Sequence, residues 1–171
     1  MQIFYVHHAM RAKGNPSTQQ DGITALGERD AGIAGEILAE YFLKYNKKLV
    51  GIFSAPEFRH AETSKLLNTS LKSSVFFDER LSEMKCYDKS ESWSAVQSRI
   101  RDAIKDVVMK YDDKDACAVM VTSGVNLAGF VATAYKLMPS DEAPFPCVIS
   151  CSPIAFQIDK SFFEGDKNGR S

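Results

Sequence analysis

The fold is decided by the first apolar stretch of the chain, residues 2–8, which read QIFYVHH. β-Branched and aromatic side chains precede two histidines here, a pattern typical of a short buried strand that ends in a polar turn. Three more runs of this kind follow, at 49–53, 74–77 and 117–121. A last strand is predicted near 147–150, with another around 155–158.

Segments with helical periodicity lie between these strands. Thr24 is a favourable N-cap for the first helix, in which apolar residues recur at three- and four-residue spacing as far as Tyr45. Pro56 favours the start of a second helix, which extends to about Leu71. A third helix carries an apolar stripe over 93–108, and a fourth runs from about 125 to 137. This alternation predicts an α/β fold, a three-layer α/β/α sandwich with a mostly parallel central sheet.

The composition narrows the class of protein. The 171 residues, with 21 basic and 22 acidic side chains, predict one domain over 1–164 and a flexible tail at 165–171. The balanced charge argues against nucleic-acid binding, and no apolar run approaches the ~18 residues of a membrane helix. The start of the chain does not resemble a signal peptide, and the four cysteines lack C-x-x-C spacing. We expect a cytoplasmic protein, whose oligomeric state the sequence leaves open.

Residues suited to chemistry follow each of the first four strands. His7 and His8 end the first strand, Arg59 follows the second, Glu83 follows the third and Ser123 follows the fourth. Ligands of open α/β sheets bind outside the carboxyl ends of the strands, so these side chains are expected at one edge. A nucleophile, a cation that clamps anions and a proton donor are the components of a phosphoryl-transfer site.

Several short segments together resemble one family. His7-His8-Ala9 stands where the histidine phosphatase superfamily has an Arg-His-Gly motif, and residues 21–27, DGITALG, look like its segment of Asp, Leu-Thr and Gly. Residues 54–63, SAPEFRHAET, are similar to its Ser-Pro, Arg, Gln-Thr block, and 81–83, LSE, resemble its Leu-x-Glu motif. Glu91-Ser92 with Arg99 looks like a further helix-start signature of the family. The matches follow the family order, and the length suits the small branch that contains the bacterial phosphohistidine phosphatases.

The resemblance implies a phosphoglycerate mutase-like fold and phosphoryl transfer without a cofactor or a metal ion. In that scheme His8 attacks phosphorus and becomes phosphohistidine, which requires a neutral ring. Arg59 holds the phosphate oxygens as a bidentate fork, and Glu83 protonates the leaving oxygen. The implied partner is a small phosphorylated substrate or a phosphoprotein.

Two positions depart from the family pattern. His7 replaces the family's arginine, so a permanent cation gives way to a group that is mostly neutral at pH 7. Ser123 replaces a second histidine, which removes a donor to the transferring phosphoryl group. Loss of one such donor costs about 10²–10³ in rate. Two functions are therefore open: a phosphatase acting through His8, or a degenerate member of the family that binds phosphate or a partner protein without efficient turnover.

Other side chains are candidates to compensate for these changes. Arg11 lies three residues after His8 and could bring a guanidinium to the phosphate. Ser123 keeps a hydroxyl donor, and His7 keeps an imidazole, so both stay in the predicted substrate-binding set. His60 follows Arg59 and offers a second imidazole, although its position faces the core.

Each site residue also has a purely structural interpretation. His7 and His8 could point to opposite faces of the sheet, since side chains alternate along a strand. Arg59 could be a helix-surface residue paired with a neighbouring glutamate. Glu83 could be a solvated carboxylate in a charged loop, and Ser123 could cap the helix that follows it.

Overall fold

Strands and helices alternate along the residues described by the computed structural model, which are 1–12, 21–84, 91–111, 113–137 and 150–164. The strands are β1 (Gln2–His7), β2 (Lys48–Ser54), β3 (Val75–Phe77), β4 (Ala116–Thr122) and β5 (Pro153–Gln157). The α-helices are α1 (Ala25–Lys44), α2 (Phe58–Leu71), α3 (Trp93–Lys110), α4 (Leu127–Ala134) and α5 (Ser161–Glu164). Two 3₁₀ turns, Glu79–Leu81 and Gly124–Asn126, precede α3 and α4.

The five described strands form one sheet in the order β3-β2-β4-β1-β5. The first four strands of that order are parallel, and β5 runs antiparallel to β1. β4 lies in the centre, and all seven of its residues are buried. The mostly parallel sheet expected from the sequence is confirmed.

Two hydrophobic cores cover the two faces of this sheet. Side chains alternate along β1, so Ile3 and Tyr5 lie in one core whereas Phe4 and Val6 lie in the other. Helices α3 and α4 supply much of the first core, and α1 and α2 supply much of the second. Each fully buried aliphatic or aromatic side chain contributes roughly 1.5–3 kcal/mol. The three-layer sandwich is thus confirmed.

The N-cap predicted at Thr24 forms, and Ser92 of the helix-start segment is a cap as well. The Thr24 hydroxyl accepts a hydrogen bond from the backbone N–H of Gly27 at 3.0 Å. The Ser92 hydroxyl accepts one from Ala95 at 3.2 Å and caps α3. The helix-start segment before α3 is also held by Arg99, whose Nε donates to Glu91 at 2.6 Å.

Helix boundaries differ from the sequence-based expectation in two places. Helix α2 begins at Phe58 rather than at Pro56, because Glu57 keeps an extended backbone (ψ 145°) and occupies the N-cap position. The sequence predicts the fourth helix over 125–137, but its first turn is 3₁₀, since the N–H of Asn126 donates to Ser123 at 3.1 Å. Helix α4 then ends at Ala134, and Lys136 adopts a left-handed backbone with φ 54°.

The end of the chain confirms one predicted strand. β5 covers most of the strand expected around 155–158. Of the strand expected near 147–150, residues 147–149 lie outside the described residues, and Ser150 is in a turn. The tail at 165–171 also lies outside them. No helix within the described ranges has both the length and the apolar composition needed to cross a bilayer.

Two glycines of α1 should respond oppositely to alanine. A Cβ on Gly35 would lie 2.8 Å from the carbonyl oxygen of Leu67, so Gly35→Ala should destabilise the fold by about 1–3 kcal/mol. A Cβ on Gly32 would have no atom within 4 Å, so Gly32→Ala should stabilise it by about 0.5–1 kcal/mol. Urea unfolding measures both changes, and shifts of the same sign would contradict the close α1–α2 contact.

Candidate active site

The carboxyl ends of the four parallel strands lie side by side, and backbone hydrogen bonds fix the segments that follow them. The N–H of His8 donates to Thr122 at 3.0 Å, which ties the end of β1 to the end of β4. The N–H of Ala55 donates to Val121 at 2.9 Å and ties β2 to β4. The segments that carry the predicted site residues therefore start from one edge of the sheet.

His8 has the geometry of a neutral nucleophile. Its Nδ1 lies 2.8 Å from the carbonyl oxygen of Ala9. Because a carbonyl only accepts, Nδ1 carries the proton and Nε2 keeps a free lone pair. Burial lowers the pKa of His8 from 6.5 to about 2, and the nearby His60 and His7 rings add to this effect. The ring is thus neutral over the physiological range, as a phosphoryl acceptor must be.

His7 lies against His8, with 4.2 Å between the ring centroids. The interpretation that the two rings point to opposite faces is wrong, because His7 is the last residue of β1 and His8 already lies beyond the strand. Burial, together with the charges of His60 and Arg59, lowers the pKa of His7 to about 4. His7 therefore brings an imidazole to the site but no positive charge at neutral pH.

Arg59 and Glu83 form an ion pair with each other. The Arg59 side chain is 3% exposed, and its guanidinium contacts the carboxylate of Glu83, which is 32% exposed. The helix-surface interpretation of Arg59 is therefore wrong, since the side chain points into the protein toward the segment after β3. Glu83 is equally not a fully solvated carboxylate. The pair partly offsets the positive charge that Arg59 would offer to a phosphate.

The segment that carries Glu83 is fixed by a buried side-chain amide. Asn126 donates to the carbonyl oxygens of Leu81 at 2.9 Å and Ser82 at 2.8 Å. The backbone N–H of Glu83 donates to the Glu57 carboxylate at 2.9 Å. This role of Asn126 has no signal in the sequence, because it depends on the burial of a polar side chain just before α4.

Ser123 directly follows β4 at the edge of the sheet and does not cap the helix that follows. It takes the N-cap position of the second 3₁₀ turn, but its hydroxyl makes no capping bond, so that interpretation is wrong. Its carbonyl oxygen accepts a hydrogen bond from the Tyr5 hydroxyl at 3.0 Å. The Ser123 hydroxyl is buried, and no described residue is its hydrogen-bond partner.

Arg11 is joined to Asp21 rather than to His8 in its described contacts. Its Nε donates to the Asp21 carboxylate at 2.7 Å, and its backbone forms an isolated bridge with Ile23. Asp21 thus competes with any phosphate for this guanidinium. That Arg11 compensates for the missing arginine stays a prediction.

His60 lies directly against the His8 ring, in the core as expected. It is fully buried, with 4.8 Å between the two ring centroids and an interplanar angle of 86°. Its Nδ1 is 3.2 Å from a carboxylate oxygen of Glu57. Since the chain has three histidines, all of them gather at this site. Inspection of the sequence did not reveal the role of Glu57, although glutamate three residues before histidine at a helix start is compatible with such a contact.

The protonation states of Glu57 and His60 follow from their burial and from their polar contacts. Burial lowers the pKa of His60, despite the opposing effect of Glu57. Burial alone would raise the pKa of Glu57, but the His60 ring and the N–H of Glu83 outweigh it and bring that pKa to about 2. At neutral pH the pair is a carboxylate beside a neutral imidazole.

The three lowered histidine pKa values predict that acid weakens the fold. Below pH ~6.5 the histidines bind protons in the unfolded chain but stay neutral in the folded one. The free energy of unfolding therefore falls as the pH drops from 7 to 5. Each fully neutral histidine contributes about 2 kcal/mol to this loss. Urea titrations at pH 7, 6 and 5 measure the slope, which His8→Asn should reduce by about one third. A flat profile would contradict the buried neutral histidines.

The site offers imidazole, guanidinium and hydroxyl groups for an oxyanion. In the described ranges, no three His, Cys, Asp or Glu side chains are arranged to hold a metal ion. The groups present suit nucleophilic attack on an electrophilic phosphorus and stabilisation of its oxygens.

Comparison with known proteins gives a match in structure alone. No protein-family model matches the chain, and no curated protein matches it. One match is the structure of the protein histidine phosphatase SixA complexed with tungstate. It covers 95% of this chain and 91% of the SixA chain, with 13% identity and a TM-score of 0.70. The match with YhfR of Bacillus stearothermophilus covers 92% of this chain and 91% of YhfR, with 17% identity and a TM-score of 0.72. The mycobacterial glucosyl-3-phosphoglycerate phosphatase complexed with VO3 covers 94% and 93%, with 18% identity and a TM-score of 0.72. The resemblance read from the motifs is confirmed at the level of the fold: the chain has the fold of the histidine phosphatases.

Proposed function

We propose that this protein is a phosphatase that hydrolyses phosphomonoesters or phosphohistidine through a phosphohistidine intermediate on His8. The observation that carries the proposal is the His8 ring, whose Nδ1 is bound to Ala9 and whose Nε2 lone pair is free for attack. The fold match supports it, because the similar structures include a protein histidine phosphatase and a sugar phosphatase. Two of those structures hold tungstate and VO3, oxyanions that resemble phosphate in shape and charge.

The reaction proceeds in two displacements at phosphorus. In the first, Nε2 of His8 forms a bond to phosphorus while the bond to the leaving group breaks. Phosphate oxygens replace Glu83 as the partner of Arg59, and the released Glu83 carboxyl carries the proton that it gives to the leaving group. In the second, water attacks the phosphohistidine, Glu83 accepts a proton from the water, and phosphate leaves. His8 and Glu83 then return to their starting states.

Three unpartnered atoms at this edge supply the phosphate-binding set. Nε of Arg59, the hydroxyl of Ser123 and Nδ1 of His7 are buried without a hydrogen-bond partner among the described residues. Buried polar atoms nearly always have a partner, so the oxygens of a bound phosphoryl group would complete their hydrogen bonding. Arg11 joins this set in the proposal if the phosphate draws it away from Asp21.

The proposal extends to the substrate class, the domain, the cofactor requirement and the location of the enzyme. The substrate is a small phosphorylated molecule or a phosphoprotein, acted on by a single domain spanning 1–164, without a metal ion or cofactor. Cys117 and Cys151 are free, buried thiols, which agrees with a cytoplasmic location.

A second function is favoured by the charge of the site. His7 is neutral at pH 7 and the charge of Arg59 is partly offset by Glu83, so the site attracts a dianion less strongly than the family pattern would. A degenerate member of the fold would bind phosphate or a partner protein without efficient turnover. Binding and turnover must therefore be measured on the same preparation.

Phosphate release and oxyanion binding separate these two functions. The substrates are p-nitrophenyl phosphate and a phosphohistidine peptide, each with a metal chelator present, and tungstate affinity is measured by calorimetry. Chelator-resistant turnover supports the phosphatase. Tungstate binding without turnover of either substrate favours the degenerate member. Failure of both assays overturns the phosphatase and also phosphate binding by a degenerate member.

Neutralising Glu83 should separate binding from turnover. In Glu83→Gln the guanidinium of Arg59 no longer faces a carboxylate, so tungstate affinity should rise about fivefold to tenfold. The same change removes the proton donor and should lower kcat by about 10²–10⁴. Glu79→Gln, exposed in the same segment, is the matched control and should change neither value. An unchanged kcat in Glu83→Gln would remove Glu83 from the mechanism.

A further inference from the structure

A buried pair of side chains that the proposed reaction does not use lies behind His8. Glu57 and His60 belong to the start of α2, where a glutamate is ordinarily exposed to solvent. Here the Glu57 side chain is 5% exposed and the His60 side chain is fully buried. Oε2 of Glu57 lies 3.2 Å from Nδ1 of His60. A buried carboxylate is costly to the fold unless its partners compensate for lost water. A role in the site would account for this arrangement.

The pair contacts both residues that the proposed function places in the chemistry. One carboxylate oxygen of Glu57 accepts the backbone N–H of Glu83 at 2.9 Å, and the other faces Nδ1 of His60. His60 in turn packs edge-to-face against the His8 ring. One carboxylate therefore links the segment of the proton donor to the ring that packs against the nucleophile.

The His8 ring is restrained on several sides. Its Nδ1 bond to Ala9 sets the rotation of the ring within its plane, whereas the neighbouring His7 and His60 rings limit the tilt of that plane. Nδ1 of His60 lies 3.2 Å from a carboxylate oxygen of Glu57, a close polar contact that holds the orientation of this second ring. These contacts hold the lone pair on Nε2 of His8 in one orientation.

We propose that Glu57 and His60 are positioning residues, which align the His8 ring and the Glu83 segment for phosphoryl transfer. This inference rests on the proposed function for its kinetic consequences. Neither residue touches the phosphoryl group in this scheme, so they act through orientation. A misplacement of about 1 Å at a reacting centre can cost 10²-fold in rate.

Glu57→Gln is the sharpest single change. A carboxylate accepts hydrogen bonds at both oxygens, but an amide has one acceptor oxygen and one NH₂ donor. The substituted amide keeps the shape of the side chain and an acceptor for the Glu83 N–H, but it presents a neutral NH₂ donor instead of a carboxylate oxygen to Nδ1 of His60. We expect kcat to fall about tenfold to hundredfold with KM nearly unchanged. His60→Gln should have a similar effect, and the double variant should lose little more than either single one because the two act as a unit.

The test combines kinetics with the nitrogen-15 NMR signals of the histidine rings. Ser64→Ala, buried one turn further along α2, is the matched control and should retain wild-type kcat. Wild-type His8 should show a protonated Nδ1 and an unprotonated Nε2. Without the restraint from His60 the His8 ring can tilt away from the Ala9 carbonyl, so both variants should average these two signals toward a tautomer mixture. If His60→Gln does not fold, the kcat and the His8 nitrogen signals of Glu57→Gln alone test the proposal.

The outcomes separate this inference from the proposed function. A fall in kcat together with altered His8 nitrogen signals supports it. Unchanged kcat, or unchanged His8 signals, in folded Glu57→Gln overturns it. If the wild-type protein shows no turnover, the proposed function fails, and the NMR signals alone then decide whether the pair orients His8.

Discussion

His8→Ala should reduce turnover of phosphomonoester and phosphohistidine substrates at least about 10³-fold, because it removes the atom that bonds to phosphorus. Tungstate affinity should change far less, since Arg59 and Ser123 remain. The combination of lost kcat and retained oxyanion binding distinguishes a nucleophile from a residue that only binds phosphate. Steady-state kinetics and calorimetry on the same sample measure the two quantities.

His7→Ala is the matched control for this prediction. The two histidines are adjacent and their rings touch, so general damage to the site should affect both variants alike. Loss of the His7 donor should lower kcat by about 10²-fold, the lower end of the range for a single donor. Near-UV circular dichroism checks that each variant is folded. Equal residual turnover in the two variants would contradict the assignment of His8 as the nucleophile.

Arg59→Lys should lower kcat/KM by about 10²–10³ even though the positive charge is kept. The guanidinium presents parallel N–H groups to two oxygens at once, whereas an ammonium offers a single point charge. Because a lysine can still pair with Glu83, this variant avoids leaving that carboxylate without a cation. The loss then reports on the geometry of phosphate binding rather than on unfolding.

Lys65→Ala provides the comparison on the same helix. Lys65 is an exposed cation of α2, so removing it tests whether long-range attraction of the substrate accounts for the effect of Arg59. We expect wild-type kcat/KM within about twofold, since solvent screens an exposed charge. Full activity in Arg59→Lys would contradict a bidentate contact between Arg59 and the phosphate.

Much of the fold could be predicted from the sequence because the strands are short, apolar and separated by amphipathic helices. Residues 2–8 and 117–121 predicted two strands of a mostly parallel sheet, but only the structure shows that these strands are adjacent. The rule for strand ends then gathered His8, Arg59, Glu83 and Ser123 at one edge before any contact was known. Motif order added the family resemblance.

What the sequence could not predict depends on contacts between distant segments. The pairing of Arg59 with Glu83, and of Arg11 with Asp21, joins residues that no local pattern connects. No local pattern indicates that the fold turns Glu57 inward toward His60. The 3₁₀ turn before α4 contains Asn126, whose side chain binds the Leu81 segment through another tertiary contact.

The most direct test of the account is to trap the covalent intermediate. Wild-type protein is mixed with p-nitrophenyl phosphate, quenched rapidly at alkaline pH, where phosphohistidine survives, and mapped by peptide mass spectrometry. The account predicts a phosphoryl adduct on His8 that forms in His7→Ala as well and is absent in His8→Ala. Turnover without an adduct, or with the adduct on another residue, would contradict it.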